Sequence, residues 1–166
     1  MGVFSLFGQQ PPKMKAISYR GGVVEFRIPA SWKEDYSDVD GGTFYEEKPN
    51  SGTLRLKIIT LETPSEVTSN SAVQLLGSLK QFQGKYDHLP SGNALFKYEQ
   101  PSVDQGMKIK IVYWIIANPI PPNHARIVTF SYTILKSQGQ NSQTMQEIGM
   151  LDSEIRASKF ATILGN

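Results

Sequence analysis

The stretch YSDVDGGTFYEE, residues 36–47, spaces its carboxylates almost as an EF-hand calcium loop does. That loop has Asp at position 1, Asp or Asn at positions 3 and 5, Gly at position 6 and Glu at position 12. Here Asp38, Asp40, Gly41 and Glu47 fall at positions 3, 5, 6 and 12, whereas Tyr36 stands at position 1. Calcium binding by an EF-hand loop that lacks one of its ligands is therefore the first function to consider.

The elements around this stretch argue against an EF-hand. Such a loop lies between two helices, and the second helix delivers the bidentate Glu. Residues 43–48 have strand character, and Pro29 and Pro49 leave no room for either helix. We therefore interpret the stretch as a polar turn, within an acidic loop over 33–41, that leads into a strand. Three aspartates stay candidates for contact with a basic partner, with a weak, improvised cation site as the alternative: Asp35, Asp38 and Asp40.

The other chemistry-bearing residues form no recognised catalytic or metal-binding pattern. The chain has no cysteine and two histidines, which excludes thiol catalysis and a three-histidine metal site. His88 and His124 lie in predicted loops, and the adjacent Glu46 and Glu47 would point to opposite faces of a strand. No nucleophile elbow, Walker loop or dinucleotide-binding glycine pattern occurs. We predict a protein that is not an enzyme and that uses no metal or cofactor.

The composition is that of a globular chain of ordinary size. Its 166 residues suit one domain, with 39% hydrophobic and 19% charged residues. The net charge is +2 and the bases are scattered singly, which disfavours nucleic acid as a partner. No apolar run reaches the ~18 residues that a transmembrane segment needs. Because a chain without cysteine fits a reducing compartment, we expect a cytoplasmic location.

We interpret residues 1–14 as a flexible leader that ends with Pro11 and Pro12. The leader has neither the basic start nor the apolar length of a signal peptide. As an alternative, its apolar residues hook onto a partner or a membrane surface: Val3, Phe4, Leu6 and Phe7. We expect residues 15–166 to form a single domain.

Strand patterns and one helix pattern fill the first half of this domain. Residues 15–28 are two apolar-rich runs around Gly21 and Gly22, which is typical of a hairpin. Further strands are predicted over 43–48 and 53–62. A capping box that starts at Thr63 then predicts a helix that ends near Gly84, with Ser71 as a later alternative start.

Three more strands and a second helix follow. The strands are predicted over 94–100, 107–117 and 126–135, and residues 118–125 form a Pro-rich connection. The second half of the middle strand is apolar on both faces, which indicates a central strand covered on both sides. Apolar residues at helical spacing predict the last helix over 142–160. This order predicts an α+β fold: an antiparallel sheet of about six to seven strands with two long helices packed on it, as an α/β/α sandwich.

The segment FRIPASW, with Phe26, Ile28, Pro29 and Trp32, resembles the first-strand signature of the PsbP-like superfamily. The order of elements over residues 15–162 is also similar to that family, and the closing LDSEIRASKF is similar to its last helix. The resemblance implies the PsbP-like fold and a role as an adaptor, chaperone or extrinsic subunit. It implies no functional residue, because the family's metal-binding and partner-binding residues have no clear match here.

Two further features are candidates for contact with a partner. The stiff Pro-rich connection presents Ile120 either as an exposed apolar tip or as a residue tucked onto its own domain. Its other candidate residues are Pro121, Pro122 and His124. An aromatic set is interpreted as core packing, with an exposed binding platform as the alternative: Tyr113, Trp114, Phe130 and Tyr132.

Together these features favour a non-catalytic binding or adaptor protein that holds a protein partner through loops or an uncovered sheet face. One alternative is a small-ligand binding module or, ranked below it, a hydrolase without a recognisable motif. The other is a peripheral membrane or secretion-linked accessory protein anchored through the apolar leader.

Overall fold

The computed structural model of the chain describes residues 11–164. Within them, two helices are α1 (Ser71–Gly77) and α2 (Ser142–Arg156). The strands are β1 (Met14–Tyr19), β2 (Val24–Pro29), β3 (Lys33–Ser37), β4 (Gly41–Tyr45), β5 (Thr53–Glu62), β6 (Asp87–His88), β7 (Ala94–Asp104), β8 (Met107–Ile120), β9 (His124–Leu135) and β10 (Lys159–Phe160). The predicted α+β class is confirmed.

A seven-stranded antiparallel sheet forms the centre of the fold, in the order β3-β4-β5-β9-β8-β7-β6. Its four longest strands, β5, β9, β8 and β7, lie side by side. The turns between β7, β8 and β9 are short, so these three strands form a meander. The predicted sheet of six to seven strands is confirmed.

We call one side of this sheet the inner face; it carries Leu56, Trp114 and Phe130, all fully buried. A second sheet, in the order β1-β2-β10, packs on this face together with α2. Phe26 of β2 meets Phe130 edge to face, with ring centroids 5.1 Å apart. Leu151 of α2 is fully buried in the same core. The inner face is therefore covered by the three-stranded sheet and by α2.

The opposite side of the sheet meets only one helix among the described residues. Ala72 and Leu76 of α1 are buried against Phe96, Ile115 and other apolar residues at one end of β7, β8 and β9. Because Ile115 lies on this side and Trp114 on the inner face, the second half of β8 is covered on both sides, as its apolar run predicted.

The structure corrects the lengths and starts of several predicted elements. The first helix is seven residues long and starts at Ser71, the alternative start, rather than at Thr63. Thr63 Oγ1 instead donates a hydrogen bond to the carbonyl oxygen of Ser65 at 2.6 Å. The last helix ends at Arg156, and β10 follows it. The first hairpin, β1-β2, belongs to the second sheet and not to the single predicted one.

The acidic segment is likewise not one loop. Residues 33–37 form the edge strand β3, which pairs with β4, and only Asp38–Asp40 make the turn. Gly41 has a φ of +79°, and a Cβ there would collide with the carbonyl oxygen of Leu56. This glycine therefore lets β4 approach β5 closely, which is a structural reason for the residue that mimicked position 6 of a calcium loop.

Candidate functional site

An uncovered surface lies on the same side of the sheet as α1, beyond the reach of that helix. It is formed by alternate residues of β5, β9, β8 and β7, and we call it the open face. Its members in register across the strands include Tyr98, Tyr113, Ser131 and Arg55. No helix or strand of residues 11–164 packs over this part of the sheet.

An apolar stripe runs along β8 on the open face. Met107, Ile109, Ile111 and Tyr113 occupy alternate positions of the strand and therefore point to the same side. Met107 is 53% exposed, and the other three are partly exposed. On the inner face of the same strand, Trp114 is fully buried. The stripe is thus the uncovered half of a central strand.

Aromatic stacking joins this stripe to the covered part of the sheet. The Tyr113 and Tyr98 rings stack at 4.7 Å, and the Tyr98 and Phe96 rings stack at 5.6 Å. Burial, and to a smaller extent the neighbouring Tyr113, raise the pKa of Tyr98. The stacked rings of the two tyrosines present a stiff apolar surface.

Polar groups flank the stripe on its β5 side. Thr129, Ser131 and Thr133 follow each other at alternate positions of β9, and the exposed Arg55 and Lys57 lie beyond them on β5. Arg55 Nη1 lies 3.5 Å from Thr133 Oγ1, and neither base forms an ion pair with a residue of 11–164. The open face therefore offers apolar contact, hydroxyl groups and two positive charges side by side.

A polar network on the inner-face side holds α2 to the sheet. Asp152 accepts hydrogen bonds from Trp114 Nε1 at 2.8 Å and from Arg156 Nε at 2.9 Å, and Arg156 also pairs with Asp87 at 2.7 Å. Burial acts to raise the pKa of Asp152, but these hydrogen bonds and the charges of Arg156 and Lys97 hold it below its usual range. Every member has a partner within the fold, so the network explains stability rather than binding.

The structure separates the acidic candidates from one another. Asp35 lies in β3 and aligns through Thr43 with Arg55, so it borders the open face. Asp38 and Asp40 lie in the β3–β4 turn on either side of Val39, which is 83% exposed. Within residues 11–164 no group of three His, Asp or Glu side chains is arranged to hold a metal ion.

The Pro-rich connection is used for the protein's own packing. Ile120 is 2% exposed, so it tucks onto its own domain and the alternative of an exposed apolar tip is wrong. The carbonyl oxygens of Pro122 and Asn123 accept hydrogen bonds from Val67 N and Thr63 N, both at 2.8 Å. These bonds fasten the segment that leads to α1.

The seven sequence candidates therefore form two groups and not one site. Ile120, Pro121, Pro122 and His124 lie at the β8–β9 turn, and strands β5 and β4 separate β9 from the acidic edge strand β3. The two turns also differ in height along the sheet, because Gly42 aligns with Leu56 and His124 aligns with Glu62. The apolar hook proposed for the leader, Val3 to Phe7, lies outside the described residues.

Sequence reasoning identified only part of the open face. Of the aromatic set, Trp114, Phe130 and Tyr132 are fully buried core residues as interpreted, and Tyr113 alone lies on the open face. The alternation of Ile109 and Ile111 with lysines is visible in the sequence. The sequence does not show which side of the sheet these isoleucines lie on. The sequence signal that could have found the site is the alternative helix start at Ser71, because a shorter helix covers less of strands of this length.

Comparison with known proteins shows the fold. No family model matches the chain, and no curated protein sequence matches it. The crystal structure of LpqN, involved in cell envelope biogenesis of Mycobacterium tuberculosis, is similar with a TM-score of 0.58 and 12% identity over 93% of this chain and 87% of that one. A crystal structure from Bacteroides thetaiotaomicron is similar with a TM-score of 0.59 and 14% identity. It covers 92% of this chain and 49% of that one.

A cyanobacterial PsbP from Synechocystis is also similar, with 12% identity over 93% of this chain and 96% of that one. Its TM-score of 0.41 is too low to carry an argument by itself. The similarity in overall fold rests on the LpqN and Bacteroides thetaiotaomicron structures, and the PsbP-like resemblance stays one of sequence. The residues of its signature are structural here, because Phe26, Ile28, Pro29 and Trp32 are all buried.

Proposed function

We propose that this protein is a non-catalytic binding protein that holds a protein partner on its open face. The observation that carries the proposal is the contrast within β8. On the inner face, Trp114 and Ile116 are fully buried under two elements. On the other side of the strand, Met107, Ile109 and Ile111 are exposed or partly exposed. Contiguous apolar surface of this kind on a folded protein is typical of an interaction site.

The surroundings of the stripe define the chemistry of the partner. Arg55 and Lys57 are exposed on the neighbouring strand β5 and make no ion pair within residues 11–164. A partner that places apolar side chains on the stripe and carboxylates along β5 would match both features. We therefore propose a partner with an apolar contact surface that is acidic on one side.

A protein partner fits this surface better than nucleic acid. The positive charge of the open face consists of two bases beside an apolar stripe, and the chain as a whole carries a net charge of +2. Nucleic-acid surfaces instead need bases spread along a path of phosphates. The cytoplasm remains our proposed location, on the sole ground that the chain has no cysteine.

Site-specific crosslinking in the native cells tests the proposal. A photo-crosslinking residue is placed at Ile111 of the full-length chain, and the control carries it at Val103, which is 65% exposed but lies on the other side of the same sheet. We expect one acidic-surfaced protein to be captured from position 111 and not from position 103.

Charge substitutions with the isolated partner complete the test. Ile111→Lys is expected to weaken binding by at least tenfold, because it places a charge in the centre of the contact. Val103→Lys is the matched control and is expected to bind as the unchanged chain does. Equal binding by both variants would overturn the proposal. Crosslinks found only between two copies of this chain would assign the open face to self-association instead.

A further inference from the structure

A cleft of about 720 Å³ opens at the other end of the fold, on the inner-face side of the sheet. Three segments line it: residues 89–93, residues 118–121 at the end of β8, and residues 156–162 after α2. Its volume lies within the range of about 300–1,000 Å³ that is usual for small-molecule sites. Of the seven residues that the sequence predicts to contact a partner, Pro121 alone lines this cleft.

The walls of the cleft are mainly apolar, and its only charged lining residues are basic. Leu89, Pro119 and Phe160 contribute apolar surface, and Arg156 and Lys159 contribute positive charge. Arg156 is neutralised by its ion pairs with Asp87 and Asp152, whereas the exposed Lys159 has no ion pair within residues 11–164. No acidic side chain of residues 11–164 lines the cleft.

Buried polar groups form the floor of the cleft. Asn93 and Asn118 are 4% and 7% exposed, and Asn118 Nδ2 donates a hydrogen bond to Asn93 Oδ1 at 2.8 Å. Arg126, 1% exposed, donates from Nη1 to Asn118 Oδ1 at 2.9 Å. The guanidinium therefore lies one hydrogen bond behind a residue that lines the cleft.

This guanidinium is a buried cation whose acceptors, within the described residues, are all neutral. Besides Asn118 Oδ1, they are the carbonyl oxygens of Ala161 at 2.8 Å and Ile163 at 2.6 Å. Burial lowers the pKa of Arg126 because the charged form is poorly solvated there. A negative charge brought into the cleft would improve the environment of this cation.

The floor also presents a donor toward the cleft. Asn93 Oδ1 is occupied by Asn118, while Asn93 Nδ2 has no acceptor within residues 11–164 and is not sealed from solvent. Since Asn93 lines the cleft, this amide nitrogen is in place to donate to a bound group. The Asn93 donor and the buried Arg126 both favour an anion at the floor of the cleft. The side chain of Lys159 leaves β10 on the side opposite to Phe160, where Glu25 is its cross-strand neighbour, so it adds positive charge at the rim.

We propose that the cleft binds a small organic anion with an apolar body, of the class of medium-chain carboxylates. Its carboxylate accepts from Asn93 Nδ2 near the buried Arg126, with Lys159 as a further positive charge at the rim. Its hydrocarbon part lies against Pro119 and Phe160. The site is separate from the open face, so this inference stands or falls independently of the proposed protein partner.

Titration of the full-length chain with octanoate, followed by ¹H–¹⁵N NMR, tests this assignment. We expect saturable shifts of the side-chain amides of Asn93 and Asn118 and of the backbone amides around Phe160. Acetate has the anion without the apolar body, and 1-octanol has the apolar body without the anion. Each is expected to bind at least about tenfold more weakly than octanoate, since either lacks one of the two contacts.

Three variants separate binding from folding. Lys159→Glu should weaken octanoate binding by roughly two- to fivefold, the size expected for an exposed charge. Lys80→Glu, an equally exposed lysine after α1, is the matched control and should change nothing. Ala157→Trp, at an exposed position that lines the cleft, should fill the opening and remove saturable binding.

Two results would overturn the inference. One is octanoate binding no tighter than that of 1-octanol, which would leave an apolar cleft without anion recognition. The other is a set of octanoate shifts that is unchanged by both Lys159→Glu and Ala157→Trp, which would locate the binding elsewhere in the molecule.

Discussion

The two faces of the seven-stranded sheet are built from the same strands but are covered very differently. On β8, Ile116 points to the inner face and is fully buried, while Ile111 points to the open face and is partly exposed. The inner face is packed under α2 and the three-stranded sheet, whereas α1 is the one helix of residues 11–164 on the opposite face, together with apolar residues after it such as Phe82. Whether an isoleucine of β8 is a core residue or a surface residue thus depends on which elements pack over it.

Element lengths explain the difference. The fourteen residues of β8 span about 46 Å, whereas the seven residues of α1 span about 10 Å along their axis. One helix of that length can cover only one end of the sheet. On the inner face, the fifteen residues of α2 span about 22 Å and the second sheet covers further surface.

The largest expected effect comes from truncating one residue on each face. Ile116→Ala should lower the free energy of unfolding by about 2–5 kcal/mol, because it leaves a cavity in a closed core. Ile111→Ala should lower it by less than about 1 kcal/mol, because the site is already open to water. Urea denaturation of both variants measures the difference. Equal losses would mean that the open face is covered in the isolated protein.

A second test adds a methyl group to the packed inner-face core instead of removing side-chain volume from it. A Cβ at Gly52 would overlap the ring of Tyr132, which is fully buried on the inner face. Gly52→Ala should therefore lower the free energy of unfolding by about 1–3 kcal/mol through overpacking. In a background that carries Tyr132→Leu, the same change should have a clearly smaller effect, since the ring is gone. Additive losses in this double-mutant cycle would contradict the packing explanation.

A third test concerns the polar network that fastens α2 to the inner face. Asp152→Asn should lower the free energy of unfolding at pH 7 by about 1.5 kcal/mol, because it weakens hydrogen bonds to a charged acceptor. The pKa of Asp152 is lower in the folded than in the unfolded chain, so its contribution is present above the usual carboxyl range.

That contribution is lost as the pH falls through the lowered pKa of Asp152. The difference between the unchanged chain and Asp152→Asn should accordingly shrink in acid, which thermal unfolding at a series of pH values measures. A difference that stays constant below about pH 3 would show that the charge of Asp152 is not what stabilises the contact.

The sequence predicted the strands where the local signals are strong. The turn chemistry at Gly21 and Gly22 gave the first hairpin, and the alternation over 53–62 matches β5 residue for residue. The helix start was harder, because the capping box at Thr63 is a local signal that the fold does not use. The backbone nitrogen of Thr63 is instead hydrogen-bonded to Asn123 in the β8–β9 turn.

The candidate sites show the same limit. A sequence shows that Ile120 is apolar and lies between prolines, but its burial is decided by contacts with segments far away in the chain. Asn118 and Arg126 could have been noticed as polar residues within apolar strands. That they join Asn93 at the floor of one cleft follows only from the pairing of β8 with β9 and the path of the chain after α2.

The sequence by itself determined the α+β class, the antiparallel meander and the residue types that form the core, because these depend on periodicity and turn chemistry over a few residues. Only the tertiary structure decided which side of each strand is covered, since cover depends on where α1, α2 and the second sheet come to lie. The acidic stretch 36–47 illustrates both points. Its turn could be predicted from the local sequence. The need for glycine at position 41 comes from the tertiary structure, because a side chain there would collide with the carbonyl oxygen of Leu56 on the next strand.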